Sequence, residues 1–203
     1  MSLPNWTSDV LQGMCYWVGH RYSYYFDYPL GESALVGELC NLLVSKIPSD
    51  QKLLSEVLRK NLGVTTAGTT RCDLVVVNAT AGTRDADVSN DVVSAIEIKR
   101  SSAGDSKFEE DLFRQHEFLT AQKGLGNNQT QAFLIVVSQR DRPTTFVTEN
   151  GCAKKGEKTC IYDDGSQKHT VKYHVRRVCK ATSSFGENAP ENAYYAVMIE
   201  VVL

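Results

Sequence analysis

Long apolar runs are missing from this chain: no stretch of its 203 residues approaches the length of a membrane-spanning helix. The expectation is a water-soluble protein. A basic segment followed by an apolar core is also missing around Met1-Ser2-Leu3-Pro4-Asn5-Trp6, so no secretory leader is read and the expected location is cytoplasmic. Cysteine is present six times, but tight pairs are not: Cys15, Cys40, Cys72, Cys152, Cys160 and Cys179 are scattered, several of them inside apolar runs. They read as reduced packing thiols and not as a disulfide framework. Neither sign of charge dominates, since 22 Lys and Arg face 24 Asp and Glu for a net charge of −2. Non-specific nucleic-acid binders usually carry a strongly basic balance, so a nucleic-acid role here must rest on a local basic rim. Internal repeats and low-complexity tracts are absent too, and the length suits one domain, 1–203, with a full core.

What is present is an alternation of helical and strand-like segments. Residues 30–46 read as a helix closed by Ile47-Pro48-Ser49, and 49–62 as a second helical stretch ended by Gly63. Apolar strands are expected at 71–77 and 92–99, joined by a polar hairpin connection over 78–91, with a poorly marked strand at 64–67. A helix follows at 106–123, stopped by Gly124-Leu125-Gly126-Asn127-Asn128, then a buried strand at 131–138. From Arg140 onward the pattern turns to short β-type segments at 144–148, 158–162, 170–180 and 193–203.

Glu97-Ile98-Lys99 closes the run Val92, Val93, Ala95, Ile96, Ile98, a core strand with two charges inside it. With a period of 2, Glu97 and Lys99 point to one face while Ile96 and Ile98 point to the other. The strand Arg71-Cys72-Asp73-Leu74-Val75-Val76-Val77 carries a further carboxylate, Asp73, near its start. Two carboxylates and an ammonium on Val/Ile-rich strands are expensive to bury unless an ion compensates them. Hard oxygen donors of this kind suit Mg2+ or Mn2+. On the helix at 30–46, Leu35, Val36, Leu39, Leu42, Leu43 and Ile47 form an apolar stripe, with Glu32 in its middle and Glu38 toward its polar edge. On the helix at 106–123, Gln115 lies in the stripe of Phe108, Leu112 and Leu119, where its amide needs partners. Those partners come either from a site or from backbone.

The set Asp73, Glu97, Lys99 resembles the signature of the PD-(D/E)XK nuclease superfamily, in which an Asp on one strand faces a Glu-x-Lys on its neighbour. The usual Pro before the Asp is replaced here by Cys72. The resemblance covers roughly residues 20–140 and implies a restriction-endonuclease-like α/β fold: a mixed central sheet flanked by helices, with an αβββαβ core. Residues 141–203 are then a β-rich C-terminal extension of the sheet. It implies a Mg2+-dependent deoxyribonuclease, endonuclease or exonuclease, that hydrolyses a phosphodiester with inversion and leaves a 5′-phosphate. Asp73, Glu97 and the Ile98 backbone carbonyl would bind the ion, with Glu32, ahead of Glu38, completing the shell or holding a second ion. Glu32 has a plainer reading as an acid that favours a helix N-terminus. Lys99 would orient or deprotonate the attacking water and stabilise transition-state charge. Gln115 resembles the Gln that several branches carry on the following helix. The expected partner is DNA, with a homodimer left open. The alternatives are a catalytically inactive nucleic-acid-binding or assembly module that keeps the fold, and a metal-free interaction protein.

Three weaker groups stand outside that set. Cys152, Cys160, His169 and His174 lack the spacing of zinc ribbons or knuckles. Alternation places Lys172, His174 and Arg176 on one strand face, either as a phosphate-backbone track or as basic residues that protect an edge strand. Tyr22, Tyr24, Tyr25, Phe26 and Tyr28 suit core packing better than base stacking.

Overall fold

The structure, a computed structural model, describes residues 2–24, 30–66, 68–139, 141–181 and 193–203, with the backbone alone at 22–24. Helices α1 (Thr7–Tyr24) and α2 (Glu32–Val44) precede strand β1 (Gln51–Leu58) and a 3-10 turn (Arg59–Leu62). Strands β2 (Arg71–Asn78) and β3 (Val92–Arg100) lead through a short 3-10 turn into helix α3 (Asp105–Gly124) and strand β4 (Gln131–Ser138). Strands β5 (Glu157–Asp163), β6 (Lys168–Ala181) and β7 (Tyr194–Val202) complete a single mixed sheet of order β1-β2-β3-β4-β7-β6-β5. From α2 to β4 the order is therefore αβββαβ, and the C-terminal strands extend the same sheet.

Both faces of the sheet are covered. Val10, Leu11, Met14 and Val18 of α1 and Leu35, Leu39 and Leu43 of α2 pack on Leu74, Val76, Ile96, Ile98, Phe133 and Ile135. On the opposite face, Phe108, Leu112 and Phe118 of α3 meet Val75, Ala95, Leu134, Val136, Val197 and Ile199. Burial on two sides explains why β4 and β7 read as continuous apolar runs and not as alternating ones. Each of the larger apolar side chains contributes about 1.5 to 3 kcal/mol. The β3 and β4 strands run parallel, with α3 as their crossover, while the other pairs are antiparallel. Among the described residues no helix is long and apolar enough to cross a membrane.

Three expectations need correction. Residues 51–58, expected as helix, form β1, because Leu53 and Leu54 go to opposite faces of a doubly covered sheet. Apolar doublets in such a strand imitate helical spacing. The strand expected at 64–67 is absent over 64–66, and Ala67 lies outside the described residues; β1 supplies the third strand of the meander instead. Residues 144–148 form a turn closed by one bridge between Val147 and Ala153. Helix α1 was not anticipated at all. The six cysteines are free, in line with their scattered spacing.

Candidate active site

An interruption in the sheet makes the site. The β2–β3 ladder starts at Leu74 opposite Ile96, so Asp73 lies just past its end. Opposite Asp73 on β1, the pairing also skips Glu56, whose φ of 55° is the only positive value at a described non-glycine residue. Such a conformation is strained and takes Glu56 out of the regular ladder. The Glu56 carbonyl is recovered by the Arg71 guanidinium at 2.6 Å. Freed from strand pairing, the Asp73 carboxylate turns across to β3 and accepts the Ile98 amide proton at 2.8 Å. It also comes within hydrogen-bonding reach of the Glu97 carboxyl.

Glu97 and Lys99 both face the α3 layer, as the two-residue period of β3 requires. Glu97 is buried and accepts a hydrogen bond from Nη2 of Arg59, which is buried as well. The Lys99 ammonium lies 3.3 Å from Glu32 Oε2 on α2 and 3.4 Å from Asp111 Oδ2 on α3, so it ties the two helical layers together at the end of β3. Asp111 is held from its other side by Arg114 Nη1 at 3.2 Å, and Arg114 is shared with Glu110 at 2.5 Å. Four carboxylates, Glu32, Asp73, Glu97 and Asp111, thus surround Lys99 and Arg59.

The electrostatics follow from that crowding. Burial, joined by the neighbouring Asp73 and Asp111 charges, pushes the Glu97 carboxyl up to about 8 against the pull of Arg59. Burial likewise raises Asp111, although Lys99 and Arg114 oppose it. Burial also works against the charge on Lys99, but Asp111 and Glu32 outweigh it and hold the ammonium above its ordinary value. The ammonium form of Lys99 is thus favoured, which suits hydrogen-bond donation and charge stabilisation. Cys72, buried beside this cluster, has its thiol pushed far up and stays protonated.

The structure brings Glu32, Asp73, Glu97 and Lys99 together. Glu38 is half-buried further along α2 and takes part in none of these ion pairs. Gln115 is fully buried on α3, but its Nε2 donates to the Phe133 carbonyl at 3.3 Å, and its Oε1 has no partner among the described residues. Lys172 pairs with Glu157 at 3.2 Å and Arg176 with Glu200 at 3.2 Å, while His174 lies between Glu157 and Glu200 in the ladders. His169 pairs with Asp164 at 2.7 Å and packs on Phe113, away from any zinc-like set. Tyr25, Phe26 and Tyr28 lie outside the described residues, as do the side chains of Tyr22 and Tyr24. Among the described residues no group of three or more His, Cys, Asp or Glu side chains converges as a ready-made metal cage. Two members of the cluster were missed from sequence: Arg59, hidden by reading its segment as a helix, and Asp111. The latter was legible, because it lies on the same stripe as Phe108 and Gln115. Comparison with protein-family models, with curated proteins and with solved structures finds no match for this chain.

Proposed function

We propose that this chain is a metal-dependent phosphodiester hydrolase acting on DNA, of the PD-(D/E)XK type and restriction-endonuclease-like in fold. The observation that carries the reading is the meeting of Asp73, Glu97 and Lys99 where β2 leaves β3, with Glu32 reaching in from the preceding helix. The αβββαβ order from α2 to β4 supports it.

A divalent ion fits the donor set chemically. Mg2+ is commonly held by one or two carboxylates, with waters and substrate phosphate filling its other positions, so a three-ligand cage is not required. Asp73 and Glu97 are two such carboxylates, and buried Asp111 adds a third acid beside them. The Ile98 amide donates to Asp73, and the carbonyl of a strand residue leaves on the same side as its amide, so the Ile98 carbonyl would join them. When bound, Mg2+ or Mn2+ would supply Lewis-acid polarisation of the phosphate and a more acidic water.

The chain's own residues have separable tasks. Lys99, kept cationic, would donate to a phosphate oxygen or to the attacking water and offset developing charge. Asp111 positions Lys99 from behind, where no solvent competes. Glu32, still partly exposed at 43 %, would accept from water. Gln115 braces the Phe133 backbone of β4.

The test is cleavage of plasmid, linear and branched DNA in Mg2+ or Mn2+ against EDTA, with Asp73→Ala and Lys99→Ala as controls. Ion-dependent cleavage lost in both variants supports the reading; cleavage unaffected by either moves the chemistry elsewhere. The ion pair between Arg59 and Glu97 favours a second reading, a catalytically inactive nucleic-acid-binding or assembly module that keeps the fold. DNA binding without ion binding or cleavage would select it.

A further inference from the structure

Arg59 is placed with more care than core packing requires. Its N–H donates to the Thr70 carbonyl at 2.9 Å, and its carbonyl accepts from Val64 at 3.1 Å. The turn then closes on Gly63, whose φ of 86° suits a residue without a side chain. From this fixed backbone the guanidinium reaches inward, Nη1 donating to the Arg114 carbonyl at 2.7 Å and Nη2 to Glu97 Oε1. Its buried Nε has no partner among the described residues. A buried donor left unsatisfied is unfavourable, so the position is explained by the charge it delivers to Glu97 and not by packing.

We propose that Arg59 is the internal counter-cation of the carboxylate cluster, competing with a divalent ion for Glu97 and so setting the ion concentration at which the site fills. The proposal rests on the metal reading above. A guanidinium and a dication on one buried carboxylate repel each other at short range in a medium that screens poorly. Arrival of the ion therefore loosens the contact between Arg59 and Glu97. The bond from Nη1 to the Arg114 carbonyl gives the guanidinium a place to remain, which makes the exchange local and reversible. Arg59 is on this view a positioning residue that acts through Glu97.

The decisive measurement is calorimetric titration of Mg2+ into the full chain, at one fixed pH, for wild type, Arg59→Gln and Arg59→Lys. Arg59→Gln should bind Mg2+ at least tenfold more tightly than wild type, although its melting temperature without the ion is lower. Arg59→Lys, which keeps the charge but shortens the reach, should fall between them. A residue with a merely structural role would shift affinity the other way, because a loosened site binds less well. Should Arg59→Gln fail to fold, the wild-type protein still decides: the Arg59 side-chain nitrogen resonances should change as Mg2+ fills the site. Binding by wild type that the Arg59 variants leave equal or weaken, or Arg59 resonances that do not respond, would overturn the proposal while leaving the metal site standing. If no protein binds Mg2+ at millimolar concentration, the metal reading itself fails and this proposal falls with it.

Discussion

The two halves of the sheet treat charge differently. Around β2 and β3, Asp73, Glu97, Asp111 and Glu32 gather about Lys99 and Arg59, mostly out of solvent, with acids outnumbering the cations that touch them. On β5, β6 and β7, Lys172 meets Glu157 and Arg176 meets Glu200, one cation for each acid. Balanced pairs finish the outer strands and ask nothing further of their surroundings. The unbalanced cluster comes with strain at Glu56 and with a carboxyl raised to about 8. Perturbed groups of this kind concentrate at functional sites, which makes the surroundings of β2 and β3 the candidate site.

The comparison is sharpened most by removing the ligating acids. Asp73→Ala or Glu97→Ala should abolish Mn2+ binding in a calorimetric titration at pH 7.5, whereas Glu157→Ala should leave it intact. Equal binding by all of them would erase the distinction between the halves.

Lys99→Ala should lower DNA cleavage by roughly 100- to 1000-fold, the scale of losing one preorganised donor to transition-state charge. Ion and DNA binding should persist in that variant. Retained turnover would mean that Lys99 serves only to tie α2 to α3.

Next comes stability. Arg59→Gln breaks a buried pair and should destabilise the ion-free protein by about 3 to 5 kcal/mol in urea unfolding at pH 9. The loss should shrink at pH 6, where Glu97 carries a proton. The wild type should show a pH dependence of its own. Between the ordinary 4.5 of Glu97 and its folded value of about 8, the folded state holds a proton that the unfolded state has released. Stability from this group is thus complete below about pH 4.5 and is lost as pH rises toward 8. Asp111, also raised, contributes with the same sign. Glu97→Gln should flatten the profile of unfolding free energy against pH, and a slope unchanged by that variant would place the proton elsewhere.

Smaller effects test the helix acid and the outer strands. Glu32→Gln should lower cleavage with little change in melting temperature, since its pair with Lys99 is partly exposed and such pairs are worth about 0 to 1 kcal/mol. Glu38→Gln should alter neither. Lys172→Ala, removing half of an exposed pair, should change stability by less than about 1 kcal/mol. If β6 tracks a phosphate backbone, the same variant will instead weaken DNA binding and reduce its salt dependence.

How much of this was legible varies residue by residue. The Val- and Ile-rich runs of β2, β3 and β4 read correctly because burial on both faces leaves an unmistakable composition. Helices α2 and α3 read correctly from their stripes, and the same projection placed Glu32 ahead of Glu38, in keeping with the Lys99 contact. Helix α1 carried an equally clear signal in Val10, Leu11, Met14, Cys15 and Val18, all buried. Strand β1 misled because Leu53, Leu54, Val57 and Leu58 repeat at a helix-like interval.

By itself the sequence determined that Glu97 and Lys99 share a face and that Asp73 sits at the mouth of a neighbouring apolar strand, because the two-residue period of a strand is a local property of the backbone. Only tertiary structure decided which charges meet them. Arg59 reaches Glu97 from 38 positions away in the chain, and Asp111 reaches Lys99 across the α3 crossover, through packing that no local period encodes. The break in the ladder at Glu56 and Asp73, which turns a strand carboxylate toward the Ile98 amide, likewise exists only once β1, β2 and β3 lie side by side.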